Sequence, residues 1–165
     1  MSDSDVRESA AEHEETFIVL VAVDTSTLAS RVVETAARVA RRTWPDGQLH
    51  LMHVFRAARF DRPGQAGLRT EDLVADAQNH LDYHVRMARR QFSGPVAGHL
   101  AIGDPAEEIV KRARSLSADL LIVGTHDSVG LERFLLGSVA EKLAKRAPCS
   151  VLIVRAKQRP YMKLS

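Results

Sequence analysis

Two stretches of the chain, Phe17–Val23 and Leu120–Val123, are apolar and β-rich without a polar interruption. A strand with one wet face alternates polar and apolar residues, so short unbroken runs of this kind mark strands covered on both sides. Covering both sides takes helices above and below a parallel sheet, joined to it by right-handed crossovers. The rest of the chain supplies the pieces. Val32 or Val33, Ala36, Val39 and Ala40 form a helical stripe that stops at Trp44-Pro45, and Asp24, Thr25 and Ser26 before it offer capping side chains. Asp46-Gly47 is a turn, and Leu49–Phe55 reads as a second strand.

Residues 56–70 contain Pro63, Gly64 and Gly67 without a period and read as a loop. From Glu71 a longer helix begins, with Leu73, Ala77, Leu81, Val85, Ala88 and Phe92 on one face and Gly94-Pro95 at its end. Val96–Ile102 is the third strand, interrupted by Gly98 and His99. Asp104 as cap, Pro105 at the first helical position and Glu107 as capping-box partner start a helix whose buried face is Ile109, Val110, Ala113 and Leu116. A last helix over about 138–146 and a fifth strand over Ser150–Val154 complete an α/β fold, an open five-stranded parallel sheet flanked by helices. The chain carries no internal repeat.

With 165 residues the chain makes one domain with a sizeable core. The first fifteen residues carry Asp3, Asp5, Glu8, Glu12, Glu14 and Glu15 against Arg7 alone, which predicts a disordered acidic tail over 1–15. The folded domain is then expected over 16–156, with a short basic tail over 157–165. Against a formal charge of +2 for the whole, the body is distinctly basic, which suits an anionic ligand and equally suits plain solubility. No apolar run reaches the roughly 20 residues of a membrane span, so no membrane insertion is expected. The N-terminus lacks the apolar segment of a secretory signal, and the single Cys149 fits a reducing cytoplasm.

The segment from Val123 to Ser138 connects a buried strand to a helix, with glycines at 124, 130 and 137. Glycine lets a ligand approach the backbone, and the N–H groups and dipole of a helix start favour phosphate. In an open parallel sheet ligands lie beyond the carboxyl ends of the strands, where strand order reverses. Asp24 ends the first strand, so it faces this loop if strands one and four are neighbours. An acid there can bind a ribose hydroxyl or a metal on a triphosphate; it serves equally well as a helix cap. Gly137 and Ser138 would add N–H and hydroxyl donors.

Five segments together resemble the universal stress protein family: residues 21–26, Leu51–Val54, Gly103–Ile109, residues 124–139 and Ala147–Val154, in the right order along most of the chain. The resemblance implies strand order 3-2-1-4-5 and a homodimer. It also implies an adenine-nucleotide site (ATP or AMP, with Mg2+ as a possible companion) and a role in the stress response, exerted through conformation and an unidentified regulatory protein partner. The ATP-binding group of that family carries a glycine, two residues, a second glycine, nine residues, then glycine with serine or threonine. Here Gly124 and Gly137-Ser138 occupy the outer positions at the right separation, and the second glycine is replaced by Asp127. By the resemblance, Asp24 contacts ribose or phosphate, Val54 lies by the adenine, and Gly124, Gly130, Gly137 and Ser138 surround the phosphates; Ala22, Thr125, His126 and Val139 join them as candidate nucleotide-binding residues.

Asp127 has two physical costs. If this position needs positive φ, a non-glycine residue there costs on the order of 1–2 kcal/mol, though aspartate tolerates it better than most. A carboxylate about 6 Å from a phosphate costs about 0.7–3 kcal/mol per like-charge pair. Mg2+ bridging the two reverses the sign; without it ATP affinity falls by roughly ten- to a hundredfold. A chain that has lost the nucleotide and works only through protein contacts is the alternative within the family.

Other constellations fit plainer roles. Asp76, His80 and His84 recur every four residues on the second helix, a spacing open to metal ligands, and read as the polar border of its apolar face. His126 either touches a phosphate or satisfies loop backbone. Cys149 is a small core residue beside a strand. Arg86, Arg89 and Arg90 complement a helix C-terminus, and with one Trp and two Tyr the chain lacks the stacking platform of a nucleic-acid binder. Trp44 and Phe134 read as core or interface anchors. No nucleophile–base pair is visible, so no enzyme is expected beyond slow ATP hydrolysis. A phosphoacceptor receiver domain would use Asp24 or Asp104 but wants clustered acids at the first strand. A dinucleotide dehydrogenase would carry its glycines after that strand, where this chain has Asp24-Thr25-Ser26. The fifth strand, Ser150–Val154, falls at the sheet edge, and pairing with its copy across a two-fold axis would cover it.

Overall fold

The computed structural model describes residues 16–56, 70–125 and 137–155. Their elements run β1 (Ile18–Ala22), α1 (Ala29–Thr43), β2 (Gln48–Phe55), α2 (Thr70–Arg89), β3 (Val96–Ile102), α3 (Pro105–Ser115), β4 (Leu120–Gly124), α4 (Ser138–Arg146) and β5 (Ser150–Val154). The five strands form one sheet in the order β3-β2-β1-β4-β5, and every pair is parallel. The expected acidic and basic tails, the 56–70 loop beyond Arg56, and Phe134 fall outside the described residues.

Alternation on the pleat explains the unbroken apolar runs. Val19, Val21, Leu49, Leu51, Leu120 and Ile122 face one core with α1 and α2; Leu20, Ala22, Met52, Leu121 and Val123 face a second core with α3 and α4. β1 and β4 sit in the middle of the sheet and need apolar side chains on both faces. Their starts are tied together: Ile18 N–H donates to Asp119 Oδ2 (2.8 Å), and Asp119 N–H donates to the Ile18 carbonyl (2.9 Å).

The helices follow the expected faces with two shifts. On α1, Ala37 is buried and Val39 only partly so. At its end Trp44 stacks on Phe17, ring centroids 3.8 Å apart, against the α1–α2 core. On α2, Ala77, Leu81, Val85 and Ala88 are buried as expected, Phe92 is buried just past the helix, and Arg89 Nη2 donates to the Val96 carbonyl. Asp104 caps α3 through Oδ1, accepting from Ala106 N (3.0 Å) and Glu107 N (3.2 Å); Glu107 does not return the bond that a capping box requires.

The interruption in β3 has a structural reason. A Cβ on Gly98 would stand 3.0 Å from Val85 Cγ2, so the glycine lets α2 lie close on the edge strand. His99, on the opposite face, hydrogen-bonds His50 of β2 at 2.9 Å. His50 Nε2 reaches Gln48 Oε1 at 3.2 Å. An amide oxygen only accepts, so the protons run His99 Nε2–H to His50 Nδ1 and His50 Nε2–H to Gln48. Burial first, then Arg112 and His50, push the His99 pKa down to about 4. Burial and Arg112 lower that of His50 as well.

Candidate functional site

β1, α1 and β2 wind toward one edge of the sheet, and β4, α4 and β5 toward the other, so the order reverses between β1 and β4. These strands are hydrogen-bonded neighbours, with Ala22 opposite Val123. Asp24 and Thr125, each two residues further on, leave the sheet side by side at its carboxyl end, where an α/β sheet opens a crevice. The condition for Asp24 to face the segment after β4 is met.

The turn carrying Asp24 is built by its own side chains. Asp24 Oδ1 accepts from Ser26 N (3.0 Å) and Ser26 Oγ (2.6 Å), and Ser26 Oγ accepts from Leu28 N (3.3 Å). This corrects one expectation. α1 starts at Leu28 as N-cap with no side-chain cap, so Asp24 and Ser26 shape the turn ahead of the helix and do not cap it.

β1 also parts from β2 here. Val23 N–H still donates to the Met52 carbonyl at 2.9 Å, but the Val23 carbonyl takes the His53 ring at 2.8 Å. The next carbonyl, that of Asp24, takes His80 Nε2 at 2.8 Å. His84 Nδ1 in turn lies 2.9 Å from the His80 carbonyl, and the His80 and His84 rings meet edge to face at 4.6 Å. Carbonyls only accept, so these contacts put the proton on His53 Nδ1, His80 Nε2 and His84 Nδ1. His84 Nε2 is buried without a hydrogen-bond partner, and burial is the main cause lowering the His84 pKa. Reading His84 as part of a polar border is therefore corrected: it is 3% exposed, inside the α2 face, while His80 is half-buried and Asp76 exposed. Among the described residues no three His, Cys, Asp or Glu side chains are arranged to hold a metal ion.

His53 was not legible as a site residue, although a signal existed. It shares the parity of Leu49 and Leu51 on β2, the face toward α1 and α2, and a histidine at 5% exposure there breaks an otherwise apolar row.

Ala22 is 9% exposed and Val54 half-buried, both on the α3–α4 side. Gly124 ends β4; a Cβ there would lie 2.9 Å from Val32 Cγ2 and 3.2 Å from Leu28 Cδ2, so its missing side chain admits α1. Thr125 is buried, and its N–H donates to the Val154 carbonyl at 3.0 Å. Gly137 is the N-cap of α4, which has no side-chain cap; Ser138 is exposed and Val139 packs partly on the second core. His126, Asp127 and Gly130 lie outside the described residues. Asp104, the other acid a receiver domain would use, is spent on capping α3 and lies 3.9 Å from Lys142. The Cys149 thiol packs partly on the second core, and burial, with Asp119 nearby, pushes its pKa up.

The five-stranded parallel sheet in this order, with its reversal between β1 and β4, is that of the adenine nucleotide hydrolase-like α/β fold. The model of the universal stress protein family matches residues 16–155, and the chain belongs to that family. A universal stress protein of Methanocaldococcus jannaschii is 31% identical over 140 residues, covering 83% of this chain and 81% of the relative. The solved UspA of Lactobacillus plantarum shares the fold at 22% identity and a TM-score of 0.70, over 84% of this chain and 97% of the other. The Archaeoglobus fulgidus universal stress protein in complex with dAMP aligns at 26% identity and a TM-score of 0.61, over 83% of this chain and 96% of the other. No helix among the described residues is long and apolar enough to cross a membrane.

Proposed function

We propose that this protein is a nucleotide-responsive regulator of the stress response that binds ATP or AMP in the crevice between β1 and β4 and acts through conformation and partner binding. The observation that carries this reading is the placing of Asp24 at the strand-order reversal, with an exposed side chain held by Ser26 beside the end of β4. The Archaeoglobus relative, with its dAMP, supports the ligand class. Asp24 takes a ribose hydroxyl, and Ala22 and Val54 line the adenine. The uncapped start of α4 at Gly137, Ser138 and Val139 turns its N–H groups and positive dipole end toward the phosphates. Gly124, Thr125, His126 and Gly130 complete the cradle; since the Thr125 N–H is engaged by Val154, its contribution comes from the hydroxyl. Mg2+ offsets the charge of Asp127.

The role is regulatory and not enzymatic in this reading. Burial keeps the Cys149 thiol protonated and therefore a poor nucleophile. The working form is a cytoplasmic homodimer paired through β5, the edge strand beside β4. Calorimetric titration with ATP, with and without Mg2+, of the wild type and of Asp127→Gly tests the reading. Micromolar binding supports it, and a strict Mg2+ requirement that Asp127→Gly removes assigns the metal to Asp127. No binding by either protein leaves a stress protein that acts through protein contacts alone.

A further inference from the structure

We propose that His80, seconded by His53, is a positioning residue for the nucleotide: the two imidazoles clamp the backbone that aims Asp24 into the crevice, and they couple helix α2 to the ligand. The inference rests on the nucleotide reading given above. As β1 leaves β2, two successive carbonyls, those of Val23 and Asp24, turn toward imidazole rings. Each is taken by a ring N–H at 2.8 Å, from His53 of β2 and from His80 of α2. The two rings stand 5.3 Å apart, and His84 holds His80 from one turn along the helix through the His80 carbonyl.

The arrangement fixes both ends of the peptide that orients Asp24. Toward the chain's far side, the Asp24 carboxylate is set by Ser26; toward α2, its carbonyl is set by His80. A site that must present one carboxylate to a ribose gains affinity when that group is already held in place, because ordering it on binding costs entropy. Asp24 and Ser26 lie in the turn after β1 and His80 on α2, so a shift of α2 loosens the hold on the Asp24 carbonyl, which makes the position of α2 and the occupancy of the crevice mutually dependent.

The side chains allow a clean test. Gln places an amide N–H where His presents Nε2–H, whereas Leu keeps bulk and removes the donor. AMP affinity by calorimetry and amide hydrogen exchange at Ser26 and Leu28 are measured in the wild type, His80→Leu and His80→Gln, with thermal unfolding as a control. The expected result is AMP affinity about three- to tenfold weaker in His80→Leu, the scale of one lost hydrogen bond, with Ser26 and Leu28 exchange faster by a similar factor. His80→Gln stays within about twofold of wild type on both. Equal exchange in all three proteins overturns the proposal, whether or not AMP binds. So does equal acceleration in both variants, which makes the ring's packing the cause, or acceleration with unchanged AMP affinity. Faster exchange in His80→Leu alone, in a protein whose wild type binds no AMP, upholds the clamp and sinks the nucleotide reading instead.

Discussion

Gly124→Ala is the substitution whose cost the geometry sets most directly. The new Cβ would lie 2.9 Å from Val32 Cγ2 and 3.2 Å from Leu28 Cδ2. Neither neighbour has room to yield: Val32 is 2% exposed and Leu28 8%. A valine within a helix also holds one χ1 rotamer strongly. Overpacking of this kind costs about 1–3 kcal/mol, while the stiffer unfolded chain of alanine returns about 0.4–1 kcal/mol. The net expectation is a loss of about 1–2 kcal/mol, read as a lower urea midpoint at unchanged slope. Val32→Ala alone opens a cavity and costs about 2 kcal/mol. In the double variant the added Cβ enters that space, so the losses fall short of additivity by about 1 kcal/mol. Strictly additive losses, or a Gly124→Ala protein at least as stable as wild type, refute the view that this glycine exists to seat α1 under the crevice.

Three other outcomes follow from the same structure. His99, with its pKa held down to about 4 against an ordinary 6.5, favours the neutral ring in the folded state. Its stabilisation is therefore complete above about pH 6.5 and is lost as the pH falls toward 4. Solvent screening of a half-buried ring reduces the effect to about 1–2 kcal/mol; unfolding between pH 7 and 4.5 should show a shallower decline in His99→Gln than in wild type, and parallel declines contradict the assignment. Asp104→Ala removes a double N–H acceptor from the start of α3 and should cost about 1 kcal/mol in urea unfolding; unchanged stability contradicts the cap, since the exposed Lys142 contact contributes little. Sedimentation should give a dimer, and a monomer at high micromolar concentration rules out β5 pairing as the resting state.

The architecture was legible because the signals were physical and redundant. Unbroken apolar runs at Phe17–Val23 and Leu120–Val123 required a doubly covered sheet, and the pleat sorts their side chains between two cores as that requires. The Asp104-Pro105 start of α3 was equally plain, because a side-chain acceptor two and three residues before N–H groups is local geometry. What sequence reading missed was long-range. Asp24 and Ser26 have the chemistry of a helix cap, and only the placing of α1 turns them into an independent turn. Gly98 and Gly124 read as an interruption and a phosphate position, yet the atoms nearest their absent side chains belong to α2 and α1. His53 and His80 are 27 residues apart in the chain (80 − 53) and share a site only because α2 folds back over β2. Spacing along one helix read His80 and His84 as a polar border, whereas both rings are turned to backbone carbonyls.

The most direct test of the account is an AMP titration of 15N-labelled protein followed amide by amide. The account predicts shifts concentrated at the carboxyl ends of β1, β2 and β4 and at the start of α4, in Asp24, Val54, Gly124 and Gly137–Val139, and weakened by Asp24→Ala. A titration that leaves those amides unmoved, or moves only residues at the opposite end of the sheet around Ile18 and Asp119, contradicts it.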